Sequence, residues 1–358
     1  MHLRRLKVQS YKHTYEVRFG EEFSTALKEI LLPGDVVTVD ARILKLYHDR
    51  LSPILAATRH YVVEPSEDQK SYRGIEPFIE YLLESGFRKN NRLVAIGGGI
   101  TQDITAFAAS ILFRGVDWFF LPTTLLAQCD SCIGSKTSIN FGINKNQLGT
   151  FYPPKEIVID PAFLETLSAL DFRSGMGEML HYYLVSGEDD FHRMLREYDK
   201  AFTDRQVLLD LIYHSLEFKR GYVEQDEFDQ GPRNIFNYGH SFGHAIETLT
   251  NYAVPHGIAV SIGMDIANWL SVKLGHLSAE TRERMRVLLR KNWGDVRLTG
   301  IVMEDYIRAL AKDKKAVGKE LRVILTKGPG RMFKTPLPVT DEVVGWLGEY
   351  FSSFPGQE

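Results

Sequence analysis

The run Arg92-Leu-Val-Ala-Ile-Gly97-Gly98-Gly99 passes through three glycines towards a helical stretch from Ile104 to Phe113. An apolar strand that turns on glycines into a helix belongs to a parallel sheet covered by helices, and few other architectures accept it. The surroundings repeat the pattern. Val36-Val-Thr-Val-Asp40 and Tyr61-Val-Val-Glu64 are short apolar runs ending in an acid, as buried parallel strands do. Ile75, Phe78, Ile79, Leu82 and Leu83 give helical periodicity over 74–85, and Trp118-Phe-Phe-Leu121 predicts a further strand closed by Pro122-Thr123-Thr124. Residues 1–20 alternate as a strand or hairpin. Beyond about Phe163 the periodicity turns helical over 173–187, 190–198, 205–228, 233–251 and 258–275, with one late strand at Leu321–Leu325.

At 358 residues the chain exceeds what one hydrophobic core usually serves. The expected fold class is therefore α/β: a Rossmann-like parallel-sheet domain over 1–162, then a mainly α-helical domain over 163–358. A net charge of -3 with mixed signs argues against a nucleic-acid or anionic-membrane surface. No 18-residue apolar run marks a membrane span, no signal-peptide core follows the N-terminus, and two cysteines make no disulfide framework. The expected location is cytoplasmic. Cys129-Asp-Ser-Cys132 lacks the context for a redox pair and the four ligands of structural zinc.

Three regions carry chemistry. At the glycine turn, Gly98 and Gly99 let backbone approach a pyrophosphate at a helix N-terminus, with Asp103 close by; the alternative is a tight turn without a ligand. Asp40 ends its strand where doubly wound sheets often hold a ribose hydroxyl. Between 114 and 146, Arg114, Thr123, Thr124, Asp130, Lys136, Asn140, Lys145 and Asn146 fall among glycines. Loops presenting Lys, Asn and Thr together suit a phosphorylated, hydroxylated small molecule, or are simply solvated.

The third region is Asn237-Tyr-Gly-His-Ser-Phe-Gly-His-Ala-Ile-Glu247 with Pro255-His256-Gly257. A helix entered through the Gly239 turn puts His240 and His244 one turn apart on one face. With His256, three of 11 histidines lie within 17 residues, a density that predicts a metal site.

These residues resemble the dehydroquinate synthase family of the sugar phosphate cyclases. The resemblance is nearly collinear from about residue 92 to 325: GGGITQD, RGVDWFFLPTTLLAQCDSCIGSKTSIN, KNQLGTFYPP, FRSGMGEM, RNIFNYGHSFGHAIE, PHG and KDKK. VEPSEDQK is similar, more weakly, to the family's Glu-x-x-Lys. The resemblance implies an NAD-binding α/β domain, a helical metal domain, an active site between them and a homodimer. It implies that Glu178, His240 and His256 hold a divalent metal, zinc or cobalt, while His244 faces the substrate. Lys136, Asn146, His244 and a lysine of the Lys314-Lys315 pair would contact phosphate, joined by Arg114 from the other subunit. Asp130, Lys219 and Asn237 would contact substrate hydroxyls, and Arg233 with Lys219 its carboxylate. Asp40, Glu67, Lys70, Gly98, Gly99, Asp103, Thr123, Thr124 and Lys145 would hold NAD.

The chain departs from that pattern at His181, where the family carries lysine three residues after the glutamate ligand. His181 thereby becomes a candidate catalytic group or extra ligand. Gln102 and Ser135 stand where glycines are usual. Three activities follow as expectations. The first is a phosphate-eliminating cyclase acting on a seven-carbon keto-sugar acid phosphate. The second is a cyclase of another sugar phosphate, such as sedoheptulose 7-phosphate. The third is a polyol dehydrogenase, which would not need the phosphate set.

Overall fold

The computed structural model describes residues 4–142, 144–312 and 320–354. The chain divides into two compact units: residues up to Ser168 with Arg205–Phe228, and Ala169–Asp204 with the residues from Asp229 onward.

The first unit is built on strands β1 (Arg4–Val8), β2 (Tyr15–Phe19), β3 (Val36–Asp40), β4 (Arg59–Val63), β5 (Leu93–Gly97), β6 (Trp118–Pro122), β7 (Lys136–Phe141), β8 (Asn144–Phe151) and β9 (Glu156–Ile159). Seven of them form one sheet in the order β1-β2-β9-β6-β5-β3-β4. The β1–β2 pair is antiparallel and every other pair is parallel. All five residues of β3, β5 and β6 are buried. That is why these strands read as continuous apolar runs, with apolar packing on both faces. Phe23, Leu27, Leu51 and Phe163 cover one face, against Val37, Val39, Val94, Ile96 and Leu121.

From β3 the chain steps to β4 at the edge and then returns to the other side of β3 as β5. The strand order therefore reverses between β3 and β5, and ligands bind open α/β sheets beyond the strand ends at such a reversal. Val39 pairs with Ile96, so Asp40 and the glycine turn leave the sheet side by side.

The second unit is mainly helical. It comprises Ala169–Ser186, Glu188–Glu197, His240–Leu249, His256–Lys273, Ala279–Trp293, Met303–Lys312 and Asp341–Ser352, with the antiparallel pair β10 (Glu320–Thr326) and β11 (Met332–Pro338). The buried Asp265 of helix 256–273 accepts bonds from Arg282 (2.9 Å) and Tyr350 (3.0 Å), tying two later helices to it.

The structure departs from the sequence expectation in three places. The division at residue 162 differs because helix Arg205–Gln225 returns to the first unit; apolar periodicity predicts a helix but not which core receives it. The expected helix 233–251 breaks into a 3₁₀ turn, Pro232–Asn237, and the helix His240–Leu249. Gly239, at φ +80°, makes the break. The polar stretch expected as loop after residue 135 is instead the β7–β8 hairpin. Thr137 and Ile139 bury one face of β7, while its polar composition disguises the alternation. Among the described residues no helix is long and apolar enough to cross a membrane.

Candidate active site and metal centre

In the second unit Glu178 leaves helix 169–186, His240 opens helix 240–249 and His256 opens helix 256–273. Their ligand atoms lie within 4.8 Å of one another. Glu178 Oε1 is 3.0 Å from His256 Nε2 and 3.5 Å from His240 Nε2. Two close packings produce this convergence. A Cβ at Gly177 would come within 2.9 Å of Gly257 Cα and closer still to its carbonyl oxygen, so helices 169–186 and 256–273 touch backbone to backbone beside Glu178 and His256. A Cβ at Gly239 would press on Met264 and the Val260 carbonyl, so only glycine lets the chain turn into His240 there.

The second nitrogen of each imidazole is already engaged. His256 Nδ1 lies 2.9 Å from Glu247 Oε2, and His240 Nδ1 lies 3.3 Å from the Tyr238 carbonyl oxygen. Both acceptors require N–H at Nδ1, which leaves the Nε2 lone pairs facing Glu178. Buried Glu178 Oε1 has no hydrogen-bond partner of acceptable geometry, although His256 Nε2 is 3.0 Å away. Three converging acceptors without hydrogen-bond alignment fit a divalent cation.

Without a cation the cluster holds a proton instead. Burial disfavours the Glu178 carboxylate, but His240 and His256 outweigh it and hold its pKa well below the usual carboxylate range. Burial likewise opposes a charged His256, yet Glu178 and Glu247 raise its pKa well above the usual histidine range. A metal must displace that proton, so affinity climbs with pH until the raised pKa is passed. Glu247→Gln removes one cause of the elevation and one orienting partner. The expected result is roughly 10- to 100-fold weaker zinc binding at high pH, with the pH dependence displaced to lower pH. Isothermal titration at several pH values checks both parts; unchanged affinity and pH dependence would leave Glu247 without this role.

His244 is exposed, its ring 5.6 Å from that of His256 and 5.7 Å from that of His240. His181 is buried among Tyr182, Phe236, Tyr238 and His240, with ring centroids 5.0–6.2 Å apart in this group. It is not part of the three-ligand cluster. Arg233 is buried, and Asn237 donates to the Asn234 carbonyl oxygen at 2.9 Å. Lys314 lies outside the described residues.

In the first unit, the hairpin gathers several of the expected residues. Lys70 Nζ pairs with Asp103 Oδ2 at 2.6 Å, and Asp103 Oδ1 accepts the Ser138 amide at 3.1 Å. Burial pushes the Asp103 pKa up against the pull of Lys70. Glu67 accepts from Asn140 Nδ2 at 2.7 Å and faces Lys145 at 3.5 Å. Asn146, at φ +54°, accepts from Ser138 Oγ at 3.0 Å. Lys136 is exposed at the start of β7.

Asp40 caps the helix Ala41–Leu46 through Oδ1, and burial raises its pKa. Gly98 is the N-cap residue of helix Gly99–Ile111. The Thr123 amide donates to the Gly97 carbonyl oxygen at 2.9 Å, and Thr124 Oγ1 accepts from the Ala127 amide. Lys219 is buried and donates to Asp130 at both Oδ1 (2.7 Å) and the main-chain oxygen (2.6 Å).

Arg114 stands apart. It is exposed at the far end of helix 99–111, ~20 Å along the axis from the glycine turn. Phe113, Arg114 and Gly115 all have positive φ, and Lys89 donates to the carbonyls of Phe113 and Gly115. Cys129 and Cys132 are buried free thiols, and burial pushes Cys132 up to about 12, consistent with inert packing.

Sequence reasoning missed Glu247 and Glu227. Glu247 follows His244 at helical spacing, but its partner His256 belongs to the next helix. Glu227 is buried and accepts from Ser10 Oγ (2.6 Å), the Tyr11 amide (2.7 Å) and Ser135 Oγ, thereby anchoring the residue before Lys136. Its contacts span more than 90 positions and leave no local pattern.

The sequence pattern of the 3-dehydroquinate synthase N-terminal region matches residues 60–174, and that of the C-terminal region matches 175–316. A 3-dehydroquinate synthase of Alkaliphilus metalliredigens is 31% identical over 355 residues, covering 97% of this chain and 99% of its own. Among solved structures, a 2-epi-5-epi-valiolone synthase from Streptomyces hygroscopicus with NAD+ and Zn2+ bound superposes with a TM-score of 0.85 at 25% identity. It covers 97% of this chain and 99% of its own. A 2-deoxy-scyllo-inosose synthase complexed with carbaglucose-6-phosphate, NAD+ and Co2+ shares the fold, with a TM-score of 0.85, 21% identity and the same coverage. On this evidence of matched patterns and near full-length similarity, the chain belongs to the 3-dehydroquinate synthase family.

Proposed function

We propose that this chain is an NAD- and divalent-metal-dependent sugar phosphate cyclase, a carbon–oxygen lyase that eliminates phosphate from a seven-carbon keto-sugar acid phosphate and closes a carbocycle. The observation that carries the reading is the convergence of Glu178, His240 and His256 with each second imidazole nitrogen engaged elsewhere. When bound, the metal supplies Lewis-acid polarisation of substrate oxygens and NAD supplies reversible hydride acceptance.

The remaining work falls to side chains. Glu178, His240 and His256 would hold the metal, zinc or cobalt. Asp40, Glu67, Lys70, Gly98, Gly99, Asp103, Thr123, Thr124 and Lys145 would bind the cofactor, and the sheet reversal beside Asp40 and the glycine turn supports this. Arg233 supports a carboxylated substrate, because its planar fork matches a carboxylate in two parallel bonds. Lys219, held by Asp130, would place an ammonium at a substrate hydroxyl, with Asn237 as amide partner. His244 is exposed one turn from His240, suited to exchange a proton near the departing phosphate. Lys136, Asn146 and Lys314 would bind that phosphate, with Arg114 reaching it across a homodimer interface. His181, packed among aromatic rings, would shape the surroundings of His240.

Phosphate release with NAD and zinc tests the reading, with NADH followed in the same cuvette. The seven-carbon keto-acid phosphate should release phosphate without net NADH. Release only from sedoheptulose 7-phosphate would transfer the chain to cyclases of another substrate, and net NADH without phosphate to dehydrogenases.

A further inference from the structure

Residues Ala127–Ser131 form a single π-helical turn that carries Asp130. Such turns are rare and collect at functional sites, and side-chain bonds beyond the local ladder hold this one. The buried Gln128 amide donates to the Pro122 (3.0 Å) and Asp160 (2.9 Å) carbonyls. Lys219 holds Asp130 at two oxygens. The third hold comes from Gln102, in the first turn of helix Gly99–Ile111 and 5% exposed. Its Nε2 donates to the Ser131 carbonyl oxygen at 2.7 Å, and Ser131 Oγ donates back to its Oε1 at 2.7 Å. Both ends of one amide are thus spent on the residue next to Asp130, and both lie in the helix that the glycine turn opens.

We propose that Gln102 is a positioning residue, which fixes the π-turn so that both Asp130 oxygens stay on Lys219. The proposal rests on the assignment of Asp130 and Lys219 to the substrate. An amide that donates to the Ser131 carbonyl and accepts from its hydroxyl holds Ser131 at backbone and side chain together, and the Ser131 N–H shares one rigid peptide plane with the Asp130 carbonyl. An apolar side chain of equal length makes neither bond.

Gln102→Met keeps the volume and removes both bonds, while Ser131→Ala removes only one. In the full-length chain loaded with zinc and NAD, three readouts are compared: amide hydrogen exchange, melting temperature and steady-state phosphate release. The Cys132 amide bonds to the Ala127 carbonyl oxygen at 3.1 Å and reports the π-turn directly. In Gln102→Met its exchange should accelerate about tenfold or more, since the turn opens locally. Turnover should fall roughly tenfold with KM changed less than about twofold, as misplacement of a reacting group predicts. The melting temperature should hold, and Ser131→Ala should show a smaller effect of the same kind. Unchanged Cys132 exchange in Gln102→Met overturns the proposal, as does a loss of turnover that only tracks a lowered melting temperature. If Gln102→Met does not fold, unchanged Cys132 exchange in Ser131→Ala overturns it. A parent enzyme that releases no phosphate from any sugar phosphate refutes the proposed activity instead, and the exchange result still decides the role of Gln102.

Discussion

Replacing Glu178 with alanine should abolish stoichiometric zinc binding and with it turnover, while the fold survives. Glu178 is the only carboxylate in the three-ligand set and the only ligand from helix 169–186. Two neutral imidazoles retain too little charge and too few donors for a divalent ion, and a loss of about a thousandfold in affinity corresponds to ~4 kcal/mol. The metal-free protein should tolerate the change far better. In that state removing Glu178 does not strand a charged His256, because its Nδ1 stays 2.9 Å from the Glu247 carboxylate, and only an unpaired buried charge carries the large penalty. The two effects separate in a melting experiment. Zinc at a hundredfold excess over its Kd should stabilise the parent by about 2.7 kcal/mol by mass action, and should leave the Glu178→Ala variant where it was. His256→Ala should behave alike for metal, and it also strands Glu247, whose pKa is lowered through His256 despite its burial. A Glu178→Ala protein that still binds one zinc with parental affinity would remove Glu178 from the ligand set.

Much of this site is legible in the sequence, for reasons specific to certain residues. His240 and His244 announce a shared face because a helix repeats every 3.6 residues, and β3 and β5 announce themselves because strands buried on both faces carry no polar alternation. Other parts depend on contacts that no local period encodes. Helix 205–225 looks like its C-terminal neighbours, yet Lys219 on it pairs with Asp130, 89 residues earlier. The β7–β8 hairpin is polar because Asn140, Asn146 and Ser138 bond to one another and to the 67–72 loop, not to water alone. Glu247 closes its motif in the sequence, but only the turn from 250 to 255 brings His256 back to it. The glycines at 177 and 257 are the least legible of all. Each stands beside a ligand in a helix, where glycine ordinarily only costs stability, and their purpose appears once the two helices are seen to meet there.

That meeting makes Gly257→Ala the most informative substitution that touches no ligand. A Cβ at 257 would stand 2.7 Å from the Ser174 carbonyl carbon and 3.2 Å from its Cα, inside the van der Waals envelope of the carbonyl oxygen between them. The three nearest opposing atoms are all backbone, so rotating a side chain does not relieve the clash and the helices must part. The Gly257 amide donates to Ser174 Oγ at 3.1 Å, and that bond goes with them. Overpacking of this kind costs about 1–3 kcal/mol, which for a unit of this size lowers the melting temperature by roughly 2–12 °C. The larger effect should fall on the metal. Metal–ligand distances tolerate about 0.2 Å, whereas the clash displaces His256 from Glu178 by on the order of an ångström, so zinc affinity should fall at least about a hundredfold. Gly345→Ala supplies the control: it lies in helix 341–352 with open space around its Cβ, and the same chemical change there should stabilise by about 0.5–1 kcal/mol. The contrast is in sign as well as size. If Gly257→Ala binds zinc as the parent does, the ligands are not held by backbone contact between helices 169–186 and 256–273, and the geometry of the centre must come from the metal itself.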